Sequence, residues 1–333
     1  MKAMRKLDTK TVLGIIISLV GLYLGFRKFD SVAFFNSLKS TNLLIFGLSM
    51  TVMVFMVFLR AWRWRTLLKP LTNLSLAHSF GAEMIGYFGN NVFPFRLGEI
   101  LRAFALGKIT RTPTSAIFGT IVTERMLDFL VFIVILLTAA IFYPQMPVAV
   151  RYSAVVATII ILILGILLYI SNMKKQTLKN YFRLKFGVKK PKSVVDLLCN
   201  FWRGLNTLRH TPQIGLIVTQ SIIIWLVCLF NTWLSGIALQ VNFNIPTVLL
   251  IFFVTSAIIS IPSAPGYVGT YHAATIGTLV LLGYDLAKSQ ALAVILHAVG
   301  FISLTAIGLF YFIKYQIDFK HTADLYVEKG ADI

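Results

Sequence analysis

The sequence predicts an all-α polytopic membrane protein, and three observations lead to that prediction. Of the 333 residues, 57% are hydrophobic and 13% are charged, whereas soluble domains contain about 25% charged residues. The mean hydropathy is +0.81. Several apolar stretches also approach or exceed the roughly 20 residues that a helix needs to cross a bilayer. Too few polar side chains exist to cover a water-exposed surface, so we exclude a soluble globular domain.

Six apolar stretches are predicted to cross the membrane completely. They cover residues 11–26, 42–59, 118–142, 148–170, 214–239 and 289–313. Basic residues precede the first stretch, as in a signal peptide, but no cleavage site of small residues follows it. We therefore expect the first stretch to be retained as a membrane span.

Two further apolar stretches, 77–107 and 247–283, are shorter than the roughly 40 residues that two complete crossings require. Residues 90–94 interrupt the first stretch with the sequence Asn-Asn-Val-Phe-Pro. Residues 262–266 interrupt the second with Pro-Ser-Ala-Pro-Gly. Because proline removes a backbone donor and glycine weakens a helix, each stretch is predicted to form a re-entrant helical hairpin.

The distribution of basic residues predicts how these elements are oriented. With the N-terminus in the cytoplasm, the inner segments contain most of the 31 Lys and Arg residues. The outer segments contain only Arg27, Lys28, Lys39, Arg151 and Lys288. Basic residues accumulate on the cytoplasmic side of membrane proteins, so we expect cytoplasmic N- and C-termini in a multi-pass protein of the cell membrane.

In this orientation the two hairpins enter from opposite sides, and the two halves of the chain have inverted topologies. We predict a first repeat over residues 1–143, a second over 144–315 and a cytoplasmic tail over 316–333. Inverted repeats are common in secondary transporters, which bind their substrate near the midplane. The alternative is coincidence, because any protein with six spans divides into two halves.

The second repeat contains the largest polar segment, residues 171–213, which is strongly basic. Apolar residues from Val194 to Leu208 recur there at helical spacing, which predicts an amphipathic helix on the inner leaflet. Its simplest role is to anchor the connection between the repeats.

Charged side chains occur inside two predicted membrane segments, where each costs roughly 2.5–3.5 kcal/mol. The first hairpin contains Glu83, Arg96, Glu99 and Arg102, and the third span contains Glu124, Arg125 and Asp128. In each group an acidic and a basic residue three positions apart can share a helix face and form an ion pair. Two interpretations stay open: a clamp that fixes the hairpin against the third span, or a functional site.

The interruption of the first hairpin is a candidate anion site. After Pro94 a half-helix is predicted to begin near Gly98, with unpaired N–H groups and its positive dipole end facing the middle of the membrane. Arg96 lies at the same end, and Asn90 and Asn91 are further candidate contacts within the interruption. Such a site suits a phosphate or a carboxylate.

The second hairpin repeats this arrangement without charge. Its second half-helix is predicted to begin with backbone N–H groups, a hydroxyl and a histidine close together. The candidate residues are Gly266, Tyr267, Gly269, Thr270 and His272. His272 can titrate near neutral pH, and its alternative role is that of an ordinary histidine inside the helix bundle.

Trp62, Arg63, Trp64 and Arg65 follow the second span and are predicted to form an aromatic and basic belt at the membrane interface. The sequence contains neither a nucleotide-binding P-loop motif nor a zinc-hydrolase motif, and we expect no cofactor and no metal. The net charge of +19 is explained by anionic lipid headgroups, so we do not expect a nucleic-acid partner.

Motifs spread from about residue 10 to 315 resemble one known family. They are Arg63-Trp64 with Leu67-Leu68, Asn90-Asn91 through Pro94, Arg96, Gly98-Glu99 and Arg102, Glu124-Arg125 with Asp128, and Pro265-Gly266 with Gly269. In their order and spacing they resemble the lysylphosphatidylglycerol synthase transmembrane-region family, the membrane half of the bacterial multiple peptide resistance factor. The resemblance implies a flippase-like role that moves aminoacylated phosphatidylglycerol, another anionic lipid or a lipid-linked sugar between leaflets.

Two departures from the family pattern qualify this expectation. Only a short tail follows Lys314, so no soluble synthase domain is expected and the chain is not expected to be an enzyme. His272 stands where the family loop often carries Glu, which leaves the identity of the substrate open.

The leading hypothesis is therefore a translocator of a phospholipid or lipid-linked substrate. Arg96 and the half-helix N-terminus would bind phosphate, and Glu99, Glu124 and Asp128 would pair with the arginines or release them. Proton flow through these carboxylates and His272 would supply energy, unless movement is downhill. The alternatives are an integral-membrane lipid-modifying transferase, or a non-transporting partner of a separate lipid synthase or glycosyltransferase.

Overall fold

The computed structural model describes residues 9–93, 97–142, 200–260 and 263–317, together with residues 152, 155, 156 and 159. Within these residues the regular secondary structure is entirely helical, which confirms the all-α prediction for this part of the chain. The helices are α1 (Thr9–Phe26), α2 (Ser31–Lys39), α3 (Leu43–Leu68), α4 (Leu76–Val92), α5 (Gly98–Thr110), α6 (Thr114–Phe142), α7 (Thr207–His210), α8 (Ile214–Ala238), α9 (Ile245–Ser260), α10 (Thr270–Leu281) and α11 (Leu286–Lys314), with a 3₁₀ turn at Pro265–Tyr267. Residues 200–205 are also helical.

Among the described helices, α3, α8 and α11 are long and apolar enough to cross a membrane. They contain 26, 25 and 29 residues, and about 20 are sufficient. Gly14–Phe26 and Ile245–Ile259 are shorter apolar helical stretches. These helices agree with a polytopic membrane protein, while the total of six spans stays a prediction.

Helix α3 is longer than the sequence predicts. The basic residues after Leu59 are predicted to end the span, but the helix continues to Leu68. Arg60 is buried, with its Nε 3.0 Å from the Met56 sulfur and its guanidinium 5.9 Å from the centre of the Trp225 ring. The basic residues therefore continue the helix because they have contacts inside the protein.

Helix α2 is an element that the sequence analysis does not predict. Asp30 caps its N-terminus, where the side chain accepts a hydrogen bond from the Ala33 N–H at 3.0 Å. Phe34 faces inward and is buried in an apolar cluster. Phe34 therefore ties this short and otherwise largely exposed helix to the core.

Two helix pairs are interrupted close to the predicted positions. The first break, between α4 and α5, has the non-helical residues Phe93 and Leu97 at its two edges. The second break, residues 261–269, separates α9 from α10 and contains the 3₁₀ turn. The interruption of each helix is thus observed, whereas the depth to which each pair enters the membrane stays a prediction.

The chain forms two compact units, each assembled from distant segments. The first unit comprises the described parts of Met1–Ala61, Phe80–Arg102 and Ile222–Tyr311, and it contains both breaks. Its apolar core consists of Phe34, Leu239, Val241, Phe243, Val248, Ile251, Tyr271, Leu279, Ala291, Leu292, Ile295 and Leu296. The core therefore joins α2, α9, α10 and α11.

The second unit comprises the described parts of Trp62–Ser79, Ala103–Ser221 and Phe312–Ile333. In this unit residues 200–205 pack against α6 at backbone distance. A Cβ atom on Gly119 would lie 2.9 Å from the Gly204 Cα, and the Thr123 hydroxyl donates to the Leu205 carbonyl at 3.3 Å. Glycine at positions 119 and 204 therefore permits this close approach.

Some predicted features lie outside the described residues. They are Arg96, all but four residues of the span 148–170, most of the loop 171–213 and nearly all of the tail 316–333. The division into repeats at residues 143 and 144 also stays a prediction.

Candidate functional site

The N-terminus of α5, which the sequence predicts to be open, is capped. The Gly98 N–H donates to the Asn90 Oδ1 at 3.0 Å, so this amide is not free to bind an anion. A Cβ atom on Gly98 would overlap the Gly86 carbonyl oxygen and would lie 2.6 Å from the Asn90 Oδ1. Glycine at position 98 therefore allows α4 and α5 to pack closely enough for Asn90 to act as the cap.

An ion-pair cluster joins the same two helices. Arg102 is 2% exposed, and its Nη1 lies 2.5 Å from the Glu83 Oε1 on α4. Its Nη2 lies 2.7 Å from the Glu99 Oε2, one turn earlier on α5. These two ion pairs, called the charged clamp below, therefore hold α4 to α5 across the first break. Arg102, a predicted headgroup contact, has two carboxylate partners.

The second break is a strained turn held by a histidine. Gly266 and Tyr267 have φ angles of 66° and 59°, and Tyr267 is the more costly because it carries a side chain. The His297 Nε2 on α11 lies 2.7 Å from the Gly266 carbonyl oxygen. Since a carbonyl accepts only, this nitrogen carries a proton and donates. His297 therefore fixes the turn.

His272 caps the start of α10. The Gly269 N–H donates to the His272 Nδ1 at 3.4 Å, and the Thr270 hydroxyl donates to the Tyr267 carbonyl at 3.2 Å. An accepting Nδ1 in a neutral imidazole leaves the proton on Nε2, so His272 keeps one donor. In each half-helix one N–H at the start, that of Gly98 or Gly269, is therefore bonded within the protein, and anion binding by these N-termini stays a prediction.

Helix α1 covers the second break with a face of small residues. The Ser18 hydroxyl accepts a hydrogen bond from the Ala264 N–H at 2.9 Å. A Cβ atom on Gly21 would lie 2.8 Å from the Gly269 carbonyl carbon, and a Cβ atom on Gly269 would overlap the Ser18 carbonyl oxygen. The backbone of the second break therefore lies directly on the backbone of α1.

The end of α4, just before the first break, lies beside the second break within the first unit. A Cβ atom on Gly266 would lie 3.2 Å from the Asn91 carbonyl oxygen, and the Phe301 ring lies against the same glycine. The Asn91 side-chain amide donates to the Thr305 hydroxyl on α11 at 2.8 Å. The structure thus brings Asn91 and Gly266, both predicted site residues, to one place.

The second unit contains a separate ionic cluster. Arg63 is 1% exposed, and its Nη1 donates to the Asp128 Oδ1 at 2.7 Å and to the Ser221 hydroxyl at 2.9 Å. Its Nη2 donates to the Glu124 Oε1 at 3.2 Å. Arg125, whose side chain is 36% exposed, pairs with the same two carboxylates at 2.7 and 3.5 Å. Two arginines therefore share one pair of carboxylates.

This cluster corrects part of the predicted interfacial belt. Arg63 and Trp64 are buried, and the Trp64 indole N–H donates to the Thr120 hydroxyl at 3.0 Å. Trp62 is partly buried, and the Arg65 Nε donates to the Leu74 carbonyl at 2.8 Å. Arg63 points inward because Glu124 and Asp128 offer it a neutralising site.

Sequence reasoning missed four polar residues of these sites and assigned a fifth, Arg63, to the membrane interface. The four missed residues are Ser18, Ser221, His297 and Thr305. Arg63 had a detectable signal, since two carboxylates in an apolar span require a cation. The others are single polar residues in long apolar helices, which are common and uninformative. Among the described residues no group of His, Cys, Asp and Glu could hold a metal ion.

Comparisons with known proteins agree with this architecture. The family described as "Lysylphosphatidylglycerol synthase TM region" matches residues 11–308. A UPF0104 membrane protein of Methanocaldococcus jannaschii is 27% identical over 237 residues, which cover 69% of this chain and 96% of that protein. One from Methanothermobacter thermautotrophicus is 22% identical over 278 residues, covering 80% and 81% of the two chains. No solved structure is significantly similar to the chain.

The match to the family spans most of the sequence, and both relatives are membrane proteins. The protein therefore belongs to the family of lysylphosphatidylglycerol synthase transmembrane regions.

Proposed function

We propose that the protein moves an anionic phospholipid or lipid-linked molecule between the two leaflets of the cell membrane. The observation that carries the proposal is that the second break lies beside the end of α4, where Gly266 is close to the Asn91 carbonyl. Broken helices in a membrane are tolerated where they are buried in protein or line a polar cavity. Such breaks commonly bind polar substrate groups in transporters.

The proposed architecture has six spans and two re-entrant hairpins, arranged as inverted repeats over residues 1–143 and 144–315. The position of the second break beside the end of α4 supports this arrangement, since hairpins entering from opposite sides would meet near the midplane. The charge distribution of the sequence supports cytoplasmic termini.

The headgroup would bind beside the two breaks while the acyl chains stay in lipid. The Nε2–H of His272 supplies a donor there, and the peptide groups around Tyr267 and Thr270 are further candidates. Arg96 supplies the positive charge in this proposal, because its sequence position is within the first break. The capped N–H of Gly98 is not a headgroup ligand.

Arg125 is proposed as a headgroup contact of the second unit, separate from the breaks. It shares Glu124 and Asp128 with Arg63. If Arg125 turns toward a phosphate, Arg63 still contacts both carboxylates, so the exchange avoids leaving them without a cation. Its side chain is also 36% exposed, whereas that of Arg63 is 1% exposed.

The test is lipid movement by the purified full chain in liposomes. Fluorescent phosphatidylglycerol and its lysylated form are placed in both leaflets, and a reductant added outside bleaches the exposed label. The wild-type protein should expose the inner pool, and Arg96→Ala and Arg125→Ala should slow this strongly. Arg27→Ala is the matched control because Arg27 is exposed beyond the end of α1.

Rates equal to those of protein-free vesicles would refute translocation. A covalently altered lipid, formed without transbilayer movement, would instead identify a lipid-modifying transferase. If Arg27→Ala slows lipid movement as much as Arg96→Ala does, the effect is one of general charge and not of a specific site.

A further inference from the structure

A basic groove lies in the second unit, apart from the residues assigned to translocation. Its cavity has a volume of about 320 Å³, which is within the range of ligand pockets, about 300–1,000 Å³. One wall consists of Pro70 and Leu71, which follow α3. The other wall comes from residues 203–210. The groove is therefore large enough for a small polar group.

The second wall carries the groove's charge. It contains Arg203, Asn206, Thr207, Arg209 and His210, and among the described residues the lining includes no carboxylate. Within the described part of the chain, neither Arg203 nor Arg209 forms an ion pair. The groove therefore presents two guanidinium groups, an amide and an imidazole. This set of donors is suited to binding a phosphate.

The groove is held in place by packing. Gly204 lies against the Ala116 backbone of α6, and Thr207 is 1% exposed. At the other wall, the Lys69 ammonium donates to the Gln213 side chain at 2.9 Å. The cationic residues are thus presented by a fixed backbone.

The position of the groove indicates a ligand in the membrane. Helix α3 ends at Leu68, next to Pro70, and α8 begins at Ile214, just after His210. Both are able to cross a membrane, so their ends lie where lipid headgroups lie. The apolar wall of Pro70 and Leu71 suits the glycerol and acyl region that follows a phosphate.

We propose that this groove binds the phosphodiester headgroup of an anionic membrane lipid, at a site separate from the translocation pathway. The site rests on the groove and on the membrane helices, and it does not require that the protein moves lipids. Residues 200–205 pack on α6 at Gly119, and α6 also carries Glu124 and Asp128. The lipid would therefore stabilise the helix that holds the ionic cluster.

The test is lipid binding to the purified full chain by native mass spectrometry, with phosphatidylglycerol and phosphatidylcholine as probes. Phosphatidylglycerol should bind more tightly, and Arg203→Gln with Arg209→Gln should weaken it by about tenfold to a hundredfold, as expected for two charge-assisted contacts. Arg203→Lys with Arg209→Lys should retain part of the affinity. Both arginines are exposed, so the Tm in phosphatidylcholine should be unchanged.

The matched control is Arg27→Gln with Lys28→Gln, which removes two exposed charges at another place. An equal loss in this control, or no loss in the arginine variant, would overturn the site. Free glycerol phosphate is the second probe, and full competition by it at the affinity of the lipid would overturn the assignment to a membrane lipid. Normal translocation by the arginine variant with weakened lipid binding would support a separate site.

Discussion

The two breaks satisfy the same requirement by different means. At the first break, ion pairs stabilise the helix pair, because Arg102 joins Glu83 to Glu99. Asn90 also caps Gly98. At the second break the contacts are neutral, with His297 on the Gly266 carbonyl and α1 on the backbone. Polar backbone in a membrane needs partners from its own protein. The comparison shows two ways to stabilise a helix break: ion pairs within the helix pair, or neutral contacts from other helices.

Removal of the charged clamp is expected to have the largest effect. Arg102→Met takes the guanidinium from two carboxylates, one of them 2% exposed, and should lower the free energy of unfolding by about 3–5 kcal/mol. Reversible unfolding in mixed micelles measures this. Lys28→Met, in the same unit, replaces an exposed cation and should cost about 0.5 kcal/mol or less.

Equal losses in the two variants would show that the clamp contributes no stability of its own. A cycle with Glu83→Gln sharpens the test, because the losses should be less than additive if the ion pair is the cause.

Closing the space between α1 and the second break is expected to come next. Gly269 has a φ of 93°, and a Cβ there would overlap the Ser18 carbonyl. Gly269→Ala should cost a total of about 3 kcal/mol, from left-handed strain and overpacking. In the same helix, Gly277 has open space around it, and Gly277→Ala should stabilise by up to about 1 kcal/mol. The sign of the two effects should therefore differ, and equal signs would contradict the close packing.

Loss of the donor from His297 is expected to have a smaller effect. His297→Phe keeps a ring beside Phe301 but leaves the Gly266 carbonyl without this bond, at a cost of about 1–3 kcal/mol. His297→Gln offers an amide donor and should recover part of the loss. If phenylalanine and glutamine are equivalent in the unfolding measurement, the histidine acts by packing alone.

The smallest effect is expected from the hydroxyl on α1. Ser18→Ala removes the acceptor of the Ala264 N–H and should cost about 1 kcal/mol. Ser40→Ala is the control, because Ser40 is exposed at the end of α2 and its hydroxyl bonds only to a local carbonyl. Hydrogen exchange at the second break should increase in the first variant and stay unchanged in the second.

The sequence predicts the helices and their interruptions well. Composition identifies the membrane protein, and proline and glycine near residues 94 and 265 mark the breaks, because both act on the local backbone. The sequence does not predict α2, because this short helix is stabilised by the packing of Phe34 in the tertiary core as well as by its Asp30 cap.

The sequence predicts the site less completely. It identifies charged residues inside predicted membrane segments, and in the described structure each of them forms an ion pair. These residues are Glu99, Arg102, Glu124, Arg125 and Asp128. It misplaces Arg63, since a basic residue at a span end resembles an interfacial anchor until its distant partners are known. It also does not predict the acceptors of the Gly98 and Gly269 N–H groups, because these depend on side-chain geometry around each break.

The bond between Ser18 and Ala264 has a consequence for biosynthesis. The two residues are separated by 246 positions, so α1 enters the membrane long before its partner has been translated. Until Ala264 has been translated, Ser18 lacks this partner, and the second break cannot complete its packing on α1. An insertion factor that shields α1 during this interval would raise the yield of folded protein.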